Sequence, residues 1–428
     1  MEKSFTSKNG ITIYSYANEN LHSFCIALYI KAGCIYEKPE ENGITHFIEH
    51  IIFRNIDTLM NHTLYQTLDR YGLSFNACTY KEFVQISISG AQKYFSIAAD
   101  LITKAFHPLV LSSDEIDVER QRIKAEIREY DDLSTLDFFS DKIVWEGTPQ
   151  QQIITGQIGT VNKIGKKKLM KAHSEMFTKD LSFFYLTGCI TTEQINVLAS
   201  YVEAYKLESS NLIRDNSVSI PKNFFHRSSD IQIKNNNVCY VRFSFDVDTS
   251  KYTNAELDLL YDILFTNHTC VVYQELSEKR GIIYSHDSTF EQYNNIGVLY
   301  FSFELQTSNV LTVVEVLIER FNELKQNMEE ELTYAIAPYV DNAQFMLDDA
   351  PELNWNFAYD NHILNCQYQS LDDRIFAYQS VTAKRLTELA QDIFRPENLT
   401  LTLKGKKAKI DTFALQSLVK RLSTLLIF

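Results

Sequence analysis

The chain has 428 residues, of which 45% are hydrophobic and 22% charged. That length exceeds one ordinary core and calls for two or more domains, while the composition excludes a disordered or fibrous chain. A formal net charge of −14 argues against nucleic acid or an anionic membrane surface as the main partner.

Seven scattered cysteines, odd in number and without a CxxC pair, argue against a disulfide framework or a cysteine zinc site. The start, "MEKSFTSKNG", lacks the apolar stretch of a signal peptide. No run of about 18 apolar residues suggests a membrane span. The expected address is a reducing cytoplasm.

In chain order, "FCIALYIKAG" (24–33) alternates like a half-buried strand. "ENGITHFIEHIIFRN" (41–55) then sets His46, Glu49 and His50 among Phe47, Ile48, Ile51, Ile52 and Phe53. "FVQISISG" (83–90) is a second alternating strand. "SSDEIDVERQRIKAEIREYDD" (112–132) opens with a capping box, Ser112 to Glu115, and predicts a helix over 113–131. Further amphipathic helices are expected at 165–176, 314–330 and 383–393. The apolar end "STLLIF" reads as part of a helix packed into the second half.

The chain repeats itself. "FTKDLSFFYLTG" begins at 177 and "FRPENLTLTLKG" at 394, and they align without a gap. At nearly the same offset, 24–33 pairs with "CYVRFSFDVD" (239–248), 83–90 with "VLYFSFEL" (298–305), and "HFIEHIIF" (46–53) with "DLLYDILF" (258–265). The expected fold is therefore α+β: two tandem homologous domains, each a mainly antiparallel sheet with helices packed on one face. The domains are expected at 1–206 and 223–428, joined by the Ser- and Asn-rich linker 207–222. The second copy keeps the apolar frame of 46–53 but has Asp258, Tyr261 and Asp262 where the first has His46, Glu49 and His50. Packing alone does not require the histidines.

On a helix His46 and His50 lie four residues apart on one face, close enough for both imidazoles to reach one ion. Zinc accepts imidazole nitrogen and needs a third protein ligand plus an open position for catalysis. Glu49 is placed to act as general base toward a water in that position, and the H-x-x-E-H order is the inverzincin arrangement. In 112–132 the apolar stripe Ile116, Ile123, Ile127 also carries Glu119 and Glu126. A carboxylate on a buried face costs several kcal/mol unless paired or metal-bound. Glu126 reads as the third ligand and Glu119 as a companion that orients a ligand or the water.

"HFIEH", with Glu126 76 residues after it and Glu119 seven residues earlier, resembles the pitrilysin/insulinase family of zinc metallopeptidases. So do the run-in "AGCIYEKPEENGITHFIEHIIF", the segment "YGLSFNACTYKEFVQISISG", the stretch "RPENLTLTLKG" and the duplication. The resemblance implies one zinc ion per chain, held by His46, His50 and Glu126, with Glu49 as base. It implies a closed chamber formed with a second chain of the family, and an unfolded peptide added as a strand along Asn76, Ala77 and Cys78. The family's second copy commonly carries an arginine, six residues and then a tyrosine that steady the oxyanion. Here Tyr284 and Gly281 are present in "LSEKRGIIYS", but the arginine's place is Ser277, with Arg280 three residues out of register. That departure favours a heterodimer over a homodimer.

The expected function is a zinc endopeptidase for short unfolded peptides, leader peptides of ribosomally made natural products among them. The alternative is a non-catalytic or partner-dependent peptide-binding subunit of a heterodimeric peptidase. Retention of His46, Glu49, His50, Glu119 and Glu126 speaks for the enzyme, since the second copy has nothing of the kind.

Overall fold

Two mixed sheets organise the chain, and they have matching strand orders. The first contains β1 (Lys3–Thr6), β2 (Thr12–Ala17), β3 (Ser23–Ile30), β4 (Ser74–Thr79), β5 (Val84–Ala91) and β6 (Ser182–Gly188), in the order β1-β2-β6-β3-β5-β4. The second contains β7 (Asp230–Ile233), β8 (Val238–Val247), β9 (Asp287–Gln292), β10 (Gly297–Gln306) and β11 (Leu399–Gly405), in the order β7-β11-β8-β10-β9. In both, two antiparallel pairings flank the central strand and one parallel pairing closes the far side. The repeated sequence pairs therefore occupy repeated places: β3 with β8, β5 with β10, β6 with β11. The computed structural model describes residues 1–210, 214, 217–225, 230–233, 238–406 and 409–423. Parts of the expected linker and nearly all of "STLLIF" fall outside them.

Alternation along each central strand assigns its two faces. From β3, Phe24, Ile26, Leu28 and Ile30 enter one core with Phe47, Ile48, Ile51 and Ile52 of the helix Ile44–Leu59. From β8, Val241, Phe243, Phe245 and Val247 enter another with Leu259, Leu260, Ile263 and Leu264 of the helix Asn254–Phe265. Each such side chain stabilises the fold by about 1.5–3 kcal/mol when fully buried.

The opposite faces are covered by traded helices. On the first sheet the Tyr29 hydroxyl donates to Asn354 Oδ1 (3.1 Å), and Asn354 Nδ2 donates to the Tyr185 carbonyl (2.8 Å). Asn354 lies on the helix Ala350–Ala358, from the second half of the chain. On the second sheet the fully buried Arg242 donates to Asp141 (2.8 Å) and Asp137 (3.1 Å) of the helix Asp132–Val144. The Arg242 guanidinium also stacks over the Tyr300 ring at 3.6 Å. One compact unit is accordingly Met1–Glu129, Gln152–Asn216 and Gln344–Leu371; the other is Tyr130–Gln151, Ser217–Ala343 and Asp372–Phe428. A single cut at 207–222 does not reproduce this grouping, because sequence periodicity reports each helix's apolar stripe and not which sheet receives it.

Two helix ends also differ from expectation. The first helix of 112–132 spans Ser113–Arg128 and has the expected capping box, but Asp131 caps a new helix by accepting from Ser134 N (2.8 Å). The helix expected at 314–330 is two, Val310–Leu324 and Glu329–Ala335, the second begun where Asn327 accepts from Glu329 N (3.1 Å). Lys166–Met176 and Ala383–Ile393 form as expected. Among the described residues no helix is long and apolar enough to cross a membrane.

Candidate metal centre

The helix Ile44–Leu59 starts at Gly43, whose φ of 95° suits glycine, and an added Cβ would lie 2.6 Å from the Thr155 carbonyl. The Glu37 carboxylate accepts from Gly43 N (2.7 Å), Thr45 N (2.8 Å) and Asn42 Nδ2 (2.9 Å). It thereby satisfies amides that a helix start leaves unpaired. This fixes the first turn, on which His46 sits.

His46 and His50 then share a face, with ring centroids 4.6 Å apart. Their Nε2 atoms converge on one carboxylate: His46 lies 3.6 Å from Glu126 Oε1 and His50 lies 3.4 Å from Glu126 Oε2. One donor atom from each of the three lies within 4.8 Å of the others. Two imidazoles and a carboxylate at that spacing are a donor set that fits a zinc ion. His46 is 7% exposed, and its Nδ1 is buried without a hydrogen-bond partner. A satisfied core histidine would use that nitrogen, so ordinary packing does not account for the ring.

Burial pushes the Glu49 carboxyl up to about 7. Its Oε2 lies 3.6 Å from His46 Nε2 and accepts from the Thr79 hydroxyl (3.4 Å). Burial also disfavours charge on His50, but Glu119 and Glu126 outweigh it and hold that ring up at about 9. His46 is pushed down, first by burial and then by His50. The arrangement is a buried carboxyl, pushed up by burial, beside two imidazoles and a second carboxylate.

The two glutamates of the helix Ser113–Arg128 divide differently from expectation. Glu119 is 2% exposed and bound by Arg54 (2.6 Å) and Arg122 (3.0 Å), with His50 Nδ1 at 3.7 Å. Glu126 has a side chain 42% exposed and sits at the rim.

Beside this cluster, β4 is an edge strand that, among the described residues, pairs only with β5. Thr79, bonded to Glu49, lies at its end. Asn76 and Cys78 are exposed and Ala77 is half-buried, so all three lie along the free edge. Phe75 packs edge-on against Phe53 of the histidine helix at 4.9 Å. Tyr284 and Arg280 belong to the other unit. Tyr284 is 96% exposed, while Arg280 is held by the Glu275 carboxylate (2.7 Å) and carbonyl (2.8 Å). Ser277 lies in the π-helical turn Tyr273–Glu278.

Sequence reasoning missed Glu37, Arg54, Thr79 and Arg122. Arg54 was findable, since it follows His50 by four residues on one helix face. Thr79 continues the Phe75, Ala77 alternation, but its bond to Glu49 needed the tertiary fold.

The profile described as insulinase (peptidase family M16) matches residues 12–154, and that described as the peptidase M16 inactive domain matches residues 163–338. An uncharacterized zinc protease, YmxG, of Bacillus subtilis is 22% identical over 401 residues, which cover 92% of this chain and 96% of that protein. The beta subunit of the mitochondrial-processing peptidase of Lentinula edodes is 24% identical over 196 residues, 45% of this chain and 42% of that one. Among solved structures, a protease from Helicobacter pylori superposes with a TM-score of 0.84 at 20% identity, covering 95% of this chain and 99% of that one. With both profiles falling in order along a duplicated α+β chain, this protein belongs to the insulinase family of peptidases, family M16.

Proposed function

We propose that the chain is a zinc-dependent endopeptidase that cleaves short unfolded peptides, leader peptides included, inside a chamber completed by a second chain of the same family. The observation that carries this reading is the convergence of His46, His50 and Glu126 beside Glu49 and the free edge of β4. His46, His50 and Glu126 hold one zinc per chain. When bound, zinc supplies a Lewis acid that acidifies water and polarises a carbonyl. Glu49 takes the proton of the attacking water and passes it to the leaving amine nitrogen, so one water is consumed as the C–N bond breaks. Glu119 orients His50. The substrate pairs as an added strand along Asn76, Ala77 and Cys78, which gives tolerance of sequence with preference from alternate side chains. The family resemblance assigns Tyr284 to the oxyanion, and Arg280, three residues out of the family arginine's register, is the candidate for the substrate backbone. A reducing, cytoplasmic address belongs to the same proposal, in keeping with seven scattered cysteines that include no CxxC pair.

A partner-dependent subunit is the second reading. It is favoured by Ser277 at the arginine's place and by Arg280 being occupied with Glu275. Incubation of the purified chain with a mixed library of unstructured peptides, read by mass spectrometry, separates the two. Cleavage that disappears with chelator and with Glu49→Gln supports a self-sufficient enzyme. Zinc-loaded protein that cleaves nothing alone moves the activity to a complex with a second chain. Protein that neither binds zinc nor cleaves refutes the proposal.

A further inference from the structure

Outside the three donor residues, the contact between the histidine helix and the helix Ser113–Arg128 is a ladder. His50, Arg54 and Thr58 stand at successive four-residue steps on one face. Opposite them, His50 meets Glu126 and Glu119, Arg54 meets Glu119, and Thr58 donates to Glu115 (3.1 Å). The middle rung is the tightest. Arg54 Nε donates to Glu119 Oε1 at 2.6 Å, and Arg122 Nη1, from Glu119's own helix, adds a 3.0 Å contact to the same oxygen. Arg122 is largely solvent-exposed, whereas Arg54 is mostly enclosed and comes from the histidine helix itself.

Arg122 Nη1 also reaches Oε2 at 3.4 Å, whereas Arg54 Nε holds Oε1, and Oε2 lies 3.7 Å from His50 Nδ1. The ring's other nitrogen, Nε2, faces Glu126. An imidazole ligand is aimed, and its tautomer chosen, by what its second nitrogen meets. We propose that Arg54 is a positioning residue for the metal centre: it clamps Glu119 so that Oε2 is presented to His50 Nδ1, which turns His50 Nε2 toward the cation. The inference rests on the reading of His46, His50 and Glu126 as a zinc site, but it concerns a residue that touches neither metal nor substrate.

The test is a cycle on zinc affinity, measured by chelator competition on the full-length chain, with wild type, Arg54→Met, Arg54→Lys, Glu119→Gln and the Arg54→Met/Glu119→Gln double variant. Arg54→Met is expected to weaken zinc binding about 10- to 100-fold, the usual effect of losing a group that supports a ligand. Arg54→Lys, which keeps one charged donor, recovers most of the loss. The double variant binds no more weakly than Glu119→Gln alone, because Arg54 acts through Glu119. Nitrogen-15 spectra of the zinc-loaded protein give a second readout: the His50 Nδ1–H resonance has the position of a proton held by a carboxylate in the wild type and moves toward that of a free imidazole N–H in Arg54→Met. Unchanged affinity in Arg54→Met overturns the proposal, as does a further tenfold loss in the double variant. Should Arg54→Met fail to fold, Arg54→Lys decides: a loss as large as that of Glu119→Gln overturns the positioning role, and a smaller loss with the His50 Nδ1–H resonance of the zinc-loaded protein shifted only part of the way supports it. A wild type that binds no zinc instead refutes the metal reading itself, so the two failures are distinguishable.

Discussion

The helix Ile44–Leu59 and its counterpart Asn254–Phe265 have the same apolar frame and different polar contents. In the first, His46, Glu49 and His50 face Glu126, and a buried imidazole nitrogen goes unpartnered. In the second, every corresponding group has a partner. The Tyr378 hydroxyl donates to Asp258, and Tyr261 reaches Ser288 at 2.9 Å. Asp262, its carboxyl pushed up by burial, meets Tyr339, whose ring stacks on Tyr378 at 4.0 Å. One copy closes its polar residues into a self-sufficient hydrogen-bond network; the other gathers two imidazoles and a carboxylate and leaves His46 Nδ1 without a partner. The scaffold is common to both, and what differs is whether the polar groups are spent internally or kept for a ligand.

The largest expected effect comes from making the first helix resemble the second. His50→Asp should lower zinc affinity on the order of a thousandfold or more, read by chelator competition, since it replaces an imidazole donor with a carboxylate too short to reach the place of Nε2. Affinity within tenfold of wild type would break the comparison.

Acid separates the copies next. His173 is buried, with Nε2 against the Ala105 carbonyl at 2.9 Å, and burial pushes it down to about 4. The second copy has Ala390 at the matching position, 217 residues on. An unfolded histidine titrates near 6.5, so between about 6.5 and 4 the unfolded chain binds the extra proton. The contribution is therefore complete above that window and lost as pH falls through it, by up to about 3 kcal/mol. Urea unfolding followed across this range should show the slope, and His173→Ala should flatten it. An unchanged slope counts against the burial argument.

Tyr378→Phe is expected to cost about 1–2 kcal/mol of stability, since it deletes one buried donor to Asp258, and to leave zinc affinity as it was. Loss of zinc in this variant would contradict the separation of the two networks. The smallest expected effect is the most pointed. Asp258→His with Asp262→His should add no second zinc by elemental analysis, because the groups bonded at these positions, Tyr378 and Tyr339, offer hydroxyls in place of a third anionic donor. Two zinc ions per chain would show that the histidines alone suffice.

Much of this was legible in the sequence where the signal is local. The His46–His50 spacing, the Ser112–Glu115 capping box and the duplicated strands are written within a few turns or pleats. Glu119 and Glu126 could be assigned to one stripe, but not told apart. That required the packing, which buries Glu119 against Arg54 and leaves Glu126 at the rim. The break at residues 325–328 was hidden because both flanking helices carry compatible apolar periods, and Asn327 signals the stop only through its bond to Glu329 N. Which sheet receives each surface helix is a long-range choice that periodicity does not record.

The traded helices make the halves of this chain mutually dependent. A polypeptide ending in the expected linker would keep the helix Asp132–Val144 with no sheet to lie on, and would leave the Tyr29 face of its own sheet bare. The complementary fragment would expose Arg242 without Asp137 and Asp141. Neither piece is an independent folding module, so cutting the gene at its apparent midpoint would yield two fragments that mature only by reassembling with each other.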